Sequence, residues 1–214
     1  MGLTKKEIKE LPDGTIWLSQ TTYEGINSWG RKDTSFLGRI WGLISRIVGK
    51  CIWHVTKSAF THSGVIHNNK QWHWLGGEGL TNNFHPISTA FVLKEKLTEE
   101  QITKGTEFLN KTDKSYNYGR LVMLFVIMWK GVKQFFNKLK WFFFSLSFFG
   151  ENCSAGVGKY AKAIGIDLIE NLIEELETPK DYFDALGKDN RFILLGENWD
   201  NYILWKEEKN DNKN

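Results

Sequence analysis

Phe60-Thr61-His62-Ser63-Gly64-Val65-Ile66-His67-Asn68-Asn69-Lys70-Gln71-Trp72-His73-Trp74-Leu75 reads as one β-hairpin. Two strand-forming runs flank Asn68-Asn69, and Asn tolerates the positive φ that a two-residue hairpin turn needs. Side chains alternate along a strand, so His62, Gly64 and Ile66 share one face and His67 points to the other. With Asn68-Asn69 as the loop, His67 pairs with Lys70, Ile66 opposes Gln71 and Gly64 opposes His73. His73 then shares the face of His62 and sits diagonal to it, at roughly 7–8 Å, within reach of a second imidazole. Gly64 is expected to leave open space between the two rings. A three-residue loop would reverse the relation, because a one-residue slip turns every side chain over.

The second informative stretch is Gly150-Glu151-Asn152-Cys153-Ser154-Ala155-Gly156, a turn that opens a helix on a cysteine. A thiol at a helix start and an imidazole on a strand are the minimal parts of a cysteine nucleophile and its base. His73 is expected to orient His62, and His62 to take the proton of Cys153. Glu78, in the Gly76-Gly77-Glu78-Gly79 turn, is the competing orienter. Asn152 suits the N-cap, and the dipole of the helix is expected to lower the thiol pKa. The Cys153 backbone N–H is an oxyanion donor, with Asn152 as a second candidate. Cys51, with only His54 as a polar neighbour, reads as inert, and His85 beside Pro86 reads as loop. Cysteine and histidine also ligate zinc. No Cys-x-x-Cys or His-x-x-x-His spacing is present, so neither metal nor cofactor is expected.

At 214 residues the chain is long enough for one full core. The formal net charge of +3 is too small to imply nucleic acid. Two cysteines do not make a disulfide framework. Met1–Lys6 lacks the apolar run of a signal peptide, so a cytoplasmic location is expected.

Outward from the hairpin, residues 1–12 read as a loose charged lead and Thr15–Ser19 as the first strand. Residues 20–37 read as loop, overlapping the start of a helix over Phe36–Val55. Another strand is expected at Thr89–Lys94. Thr98-x-x-Gln101 is a capping box opening a helix to about Leu109. Cys153–Ile164 is a helix closed by Gly165, and Thr178-Pro179 starts a short one. Arg191–Leu195 and Tyr202–Trp205 read as closing strands, and 206–214 as a solvated tail. The sum is an α+β domain over 13–205, its antiparallel sheet packed on the helix that carries Cys153.

The order of these parts resembles the circularly permuted papain-like amidases (the YaeF/YiiX kind), relatives of the NlpC-type cell-wall peptidases. The matching pieces are Asp13-Gly14-Thr15-Ile16-Trp17-Leu18, Leu43-Ile44, Phe60–Ile66, Tyr116-Asn117-Tyr118-Gly119, Asn152-Cys153-Ser154-Ala155, Ala163-Ile164-Gly165-Ile166 and Thr178-Pro179-Lys180-Asp181. The resemblance implies a permuted papain-like (NlpC-type) fold, with His62 as base, Cys153 as nucleophile and His73 as the third polar residue. Many members carry glutamate there. Histidine at that place is what the lecithin:retinol acyltransferase-like relatives show. A tyrosine often precedes the histidine by two places, where this chain has Phe60. The implied activity is a thiol hydrolase that cleaves an amide bond, of cell-wall peptide or N-acyl type, through an acyl-thioester. A lipid-directed acyltransferase or thioesterase would use the same residues, and a non-catalytic binding module is the third reading.

Residues 119–149 are least like that family. Leu121–Trp129 and Trp141–Phe149 are greasy runs around Lys130, Lys133, Lys138 and Lys140. Neither reaches the ~20 residues of a membrane-spanning helix. The insert reads as core helix plus flap, with a membrane-surface element that contacts lipid as the rival. The oligomeric state is not legible.

Overall fold

A computed structural model describes residues 2–21, 23–28, 35–56, 58–75, 79–112, 153–169 and 178–196. Glu78, Asn152, the insert at 119–149 and the closing strand expected at Tyr202–Trp205 lie outside the described residues. The elements in chain order are α1 (Lys5–Glu10), β1 (Ile16–Gln20), α2 (Tyr23–Ile26), α3 (Phe36–Thr56), β2 (Phe60–His67), β3 (Lys70–Leu75), β4 (Gly79–Thr81), β5 (Thr89–Leu93), α4 (Glu99–Lys111), α5 (Cys153–Ala163), α6 (Pro179–Leu186) and β6 (Phe192–Gly196). The chain is α+β. Among the described residues the sheet is antiparallel with six strands, in the order β4-β3-β2-β1-β5-β6.

The hairpin has the expected register, Val65 opposite Trp72, Ile66 opposite Gln71 and His67 opposite Lys70. Asn68 and Asn69 hold φ of 50° and 55°, the pair of left-handed residues that a type I′ turn requires. The β2–β3 ladder stops at Val65–Trp72, and β3 continues by pairing with β4. Among the described residues Phe60–Gly64 is therefore laddered to β1 alone. A bulge at the β1 end, where Ser19 opposes His62 but Gln20 opposes Phe60, turns Phe60 to the opposite face from His62. There Phe60 packs on Phe183, ring centroids 4.6 Å apart.

Two apolar layers sandwich the sheet. On one face Ile16, Leu18, Val65, Trp74 and Phe91 meet Val157, Tyr160 and Ala161 of α5 and Tyr182 and Leu186 of α6. Gly156 is what lets α5 close on the sheet, since a Cβ there would lie 2.3 Å from the Trp74 ring. On the other face Trp17, Ile66, Ala90 and Val92 are covered by Ile8, Leu11 and Ile87.

That second layer corrects the reading of residues 1–12 as a loose lead. Thr4 and Glu7 close a capping box around the start of α1, and Ile8 and Leu11 are buried. The Leu3 N–H also donates to the Ile87 carbonyl. A six-residue helix is too short to hold by propensity; the burial of two aliphatic side chains against the sheet holds it. The reading of 20–37 as loop misses α2, one helical turn whose Ile26 is fully buried.

Candidate active site

The site is built around the gap where β2 and β3 part. His62 and His73 share a face, as strand alternation requires, and their rings meet: His62 Nε2 lies 2.8 Å from His73 Nδ1. The proton on this bond can be assigned. His73 Nε2 lies 3.1 Å from the Asn83 carbonyl oxygen, which only accepts, so His73 carries its proton on Nε2. In a neutral His73 ring the lone pair is then on Nδ1, and His62 must donate to it from Nε2. The free lone pair of His62 is left on Nδ1, the nitrogen nearer its own backbone.

The space beside Gly64 is not open, as expected, but filled. The Trp17 indole occupies it, and a Cβ on Gly64 would lie 2.3 Å from that ring and 2.5 Å from the Trp72 carbonyl oxygen. Trp17 meets the His62 and His73 rings edge-on at 5.7 and 5.5 Å. Burial, first of all, and the neighbouring His85 and His73 hold His62 well below the ordinary imidazole pKa. At neutral pH it is an uncharged base.

Cys153 is the first residue of α5 and is buried. Its sulfur lies 3.9 Å from Ser154 Oγ. Burial pushes the thiol pKa up, opposed by hydrogen bonds from the backbone and hydroxyl groups of Ser63 and Ser154. The expectation of a lowered pKa is thus reversed in sign, because desolvation of the thiolate outweighs the donors around it. Ser63 of β2 and Ser154 of α5 are thus the polar neighbours of the sulfur. Ser154 is itself anchored, its Oγ 3.4 Å from Ser63 Oγ and its carbonyl accepting from the Tyr182 hydroxyl at 2.6 Å. The Cys153 backbone N–H, at a helix start, has no acceptor within its helix.

The structure brings His62 and His73 together and does not hydrogen-bond Cys153 to His62. The thiol reaches β2 from the side covered by α5, whereas the His62 ring lies on the Trp17 side. Both lie along the part of β2 that pairs with β1 and not with β3. His67 points to the α5 side as expected and has a structural place, its ring nitrogens 2.9 Å from both the Tyr160 hydroxyl and Thr106 Oγ1.

One site residue escaped the sequence reading. His85 lies in the stretch between β4 and β5, but its ring stacks on Trp17 at 5.5 Å and stands 4.8 Å from the His62 ring and 5.3 Å from the His73 ring. Gln71 holds it there, donating from Nε2 to the His85 carbonyl and accepting the His85 N–H on Oε1, both at 2.9 Å. Gln71 is on the His62 face at the register position opposite Ile66, which is the one signal that could have pointed to a clamped segment there. Burial takes the pKa of His85 down to about 4. His62, His73 and His85 form a group whose ligand atoms all lie within 4.8 Å of one another.

No protein-family model and no curated protein matches this chain.

Proposed function

We propose that the chain is a thiol hydrolase of permuted papain-like fold, cleaving an amide bond of peptide or N-acyl type. The observation that carries this is the fixed direction of the histidine relay. The Asn83 carbonyl sets the tautomer of His73, His73 sets that of His62, and the basic nitrogen left over is His62 Nδ1. Both pKa directions favour a neutral thiol and a neutral imidazole at rest, so His62 acts as a general base rather than one half of a preformed ion pair.

In that mechanism the Cys153 proton passes to His62 Nδ1 as the sulfur attacks the carbonyl carbon. The oxyanion is met by the Cys153 N–H. His62 Nδ1–H then protonates the leaving amine, the C–N bond breaks, and a thioester remains on Cys153. Water, deprotonated by His62, attacks the thioester and restores the thiol. The resting structure lacks the Cys153–His62 hydrogen bond, so substrate binding must close that gap, as apo sites often require. The test is acyl transfer from an activated ester: the acyl group must come to rest on Cys153, as a thioester located by mass spectrometry.

A lipid-directed acyltransferase or thioesterase is the second reading, and α3 favours it. Phe36, Ile40, Leu43 and Ile47 form an exposed stripe along this helix, with Phe36 77% exposed. Arg39, Arg46 and Lys50 flank the stripe, and no acidic residue lies between Phe36 and Thr56. An apolar stripe edged only by cations fits an anionic bilayer surface. Among the described residues no helix is long and apolar enough to cross a membrane. The protein should float with phosphatidylserine-containing vesicles at low salt. Changing Arg39, Arg46 and Lys50 to Gln should weaken this, at roughly 1 kcal/mol for each charge. Absence of flotation at low salt removes the lipid reading and leaves the amidase one.

A further inference from the structure

We propose that His62, His73 and His85 form a zinc-binding site, and that zinc there switches the thiol chemistry off by capturing the nitrogen through which His62 is oriented. Three separate segments supply the ligands: β2, β3 and the stretch before β5. Their ligand atoms already lie within 4.8 Å of one another. Zinc takes imidazole nitrogens at 2.0–2.1 Å, which places tetrahedral ligand atoms roughly 3.3 Å apart. The His62 Nε2–His73 Nδ1 pair, at 2.8 Å, has to open by about half an ångström, and His85 has to approach.

The supports are those a metal site needs. His73 donates its outer N–H to a backbone carbonyl, that of Asn83, which leaves Nδ1 as a fixed lone pair. Such a carbonyl partner is the usual orienter of a metal-bound imidazole. His85 is placed by the paired hydrogen bonds of Gln71 and by stacking on Trp17. Its ring nitrogens make no hydrogen bond among the described residues, so nothing there competes for its lone pair. Among the described residues the donor set is three neutral imidazoles with no carboxylate. That suits a borderline transition metal and not magnesium or calcium, which take oxygen ligands.

Binding changes the protonation of His62 without releasing a proton. His62 Nε2 now carries hydrogen and Nδ1 the lone pair. Coordination through Nε2 moves that hydrogen to Nδ1 by exchange with water. The thiol then faces an N–H instead of a base. This consequence rests on the hydrolase reading; the binding itself does not.

Calorimetry on chelator-treated full-length chain, titrated with Zn²⁺ and with Mg²⁺ as control, is the experiment. One equivalent of zinc should bind, and magnesium should not. His85→Ala should weaken zinc binding by about a hundredfold or more, with a circular dichroism spectrum that shows the variant folded. Cys153→Ala should bind zinc as the parent chain does. Acylation of Cys153 by an activated ester should slow on adding zinc to the parent chain and should not respond in His85→Ala. Failure of the parent chain to bind micromolar zinc overturns the site outright, whatever the variants do. Zinc binding lost in Cys153→Ala and kept in His85→Ala also overturns it, since the thiol would then be the ligand. Zinc binding with undiminished acylation overturns the switch. If zinc binds as expected and zinc-free chain forms no thioester, the hydrolase reading falls and the metal site stands.

Discussion

Cys153→Ala should abolish turnover of an acyl-amide substrate, and His62→Ala should lower it by at least about a hundredfold, the low end of what general-base assistance contributes. The double variant should be no slower than Cys153→Ala. Residues that act as one unit give non-additive losses, because the second removal deletes nothing that still functions. His62 matters this much because the thiol pKa is pushed up by burial, so little thiolate exists without a base. His73→Ala should be milder than His62→Ala, since His73 only fixes which His62 nitrogen holds the proton. His67→Ala should leave the chemistry alone, its ring being tied to Tyr160 and Thr106 on the other face. Steady-state kinetics on the folded variants checks all of these.

The second large effect is on stability. Gly64→Ala should destabilise the fold by about 3 kcal/mol, the upper end of the usual cost of overpacking a core. The added methyl would meet the Trp17 ring at 2.3 Å and the Trp72 carbonyl at 2.5 Å. Neither can yield cheaply. Trp17 is fully buried and stacked on His85, and the carbonyl belongs to β3. The variant should also lose activity beyond its unfolded fraction, because Trp17 braces both His62 and His73. Chemical denaturation measures the first effect. An unchanged midpoint would show that the sheet can part further at this point than its packing implies.

Much of this was legible in the sequence where one local rule governs a position. The Asn68-Asn69 turn fixes the hairpin register, and the register puts His62 and His73 on one face and His67 on the other. Thr98 announces its helix by a capping box and Thr178-Pro179 by a cap and a first-turn proline, and the structure contains both. The misreadings are tertiary. Residues 4–11 look merely charged until a sheet face is there to receive Ile8 and Leu11. The gap beside Gly64 looks open until Trp17, more than forty residues earlier, is known to fill it. The thiol pKa follows a helix dipole in sequence and desolvation in space. His85 has no periodicity to mark it, and only the reach of Gln71 across to that segment brings it into the site.

The central claim is that Cys153 is a nucleophile served by His62. The most direct measurement is the rate and place of acylation by an activated N-acyl ester, in the parent chain and in His62→Gln, with the modified residue located by mass spectrometry. The account predicts a thioester on Cys153 and a rate at least about a hundredfold lower in His62→Gln. Acyl transfer to Cys51 in place of Cys153, or an equal rate in His62→Gln, would contradict it.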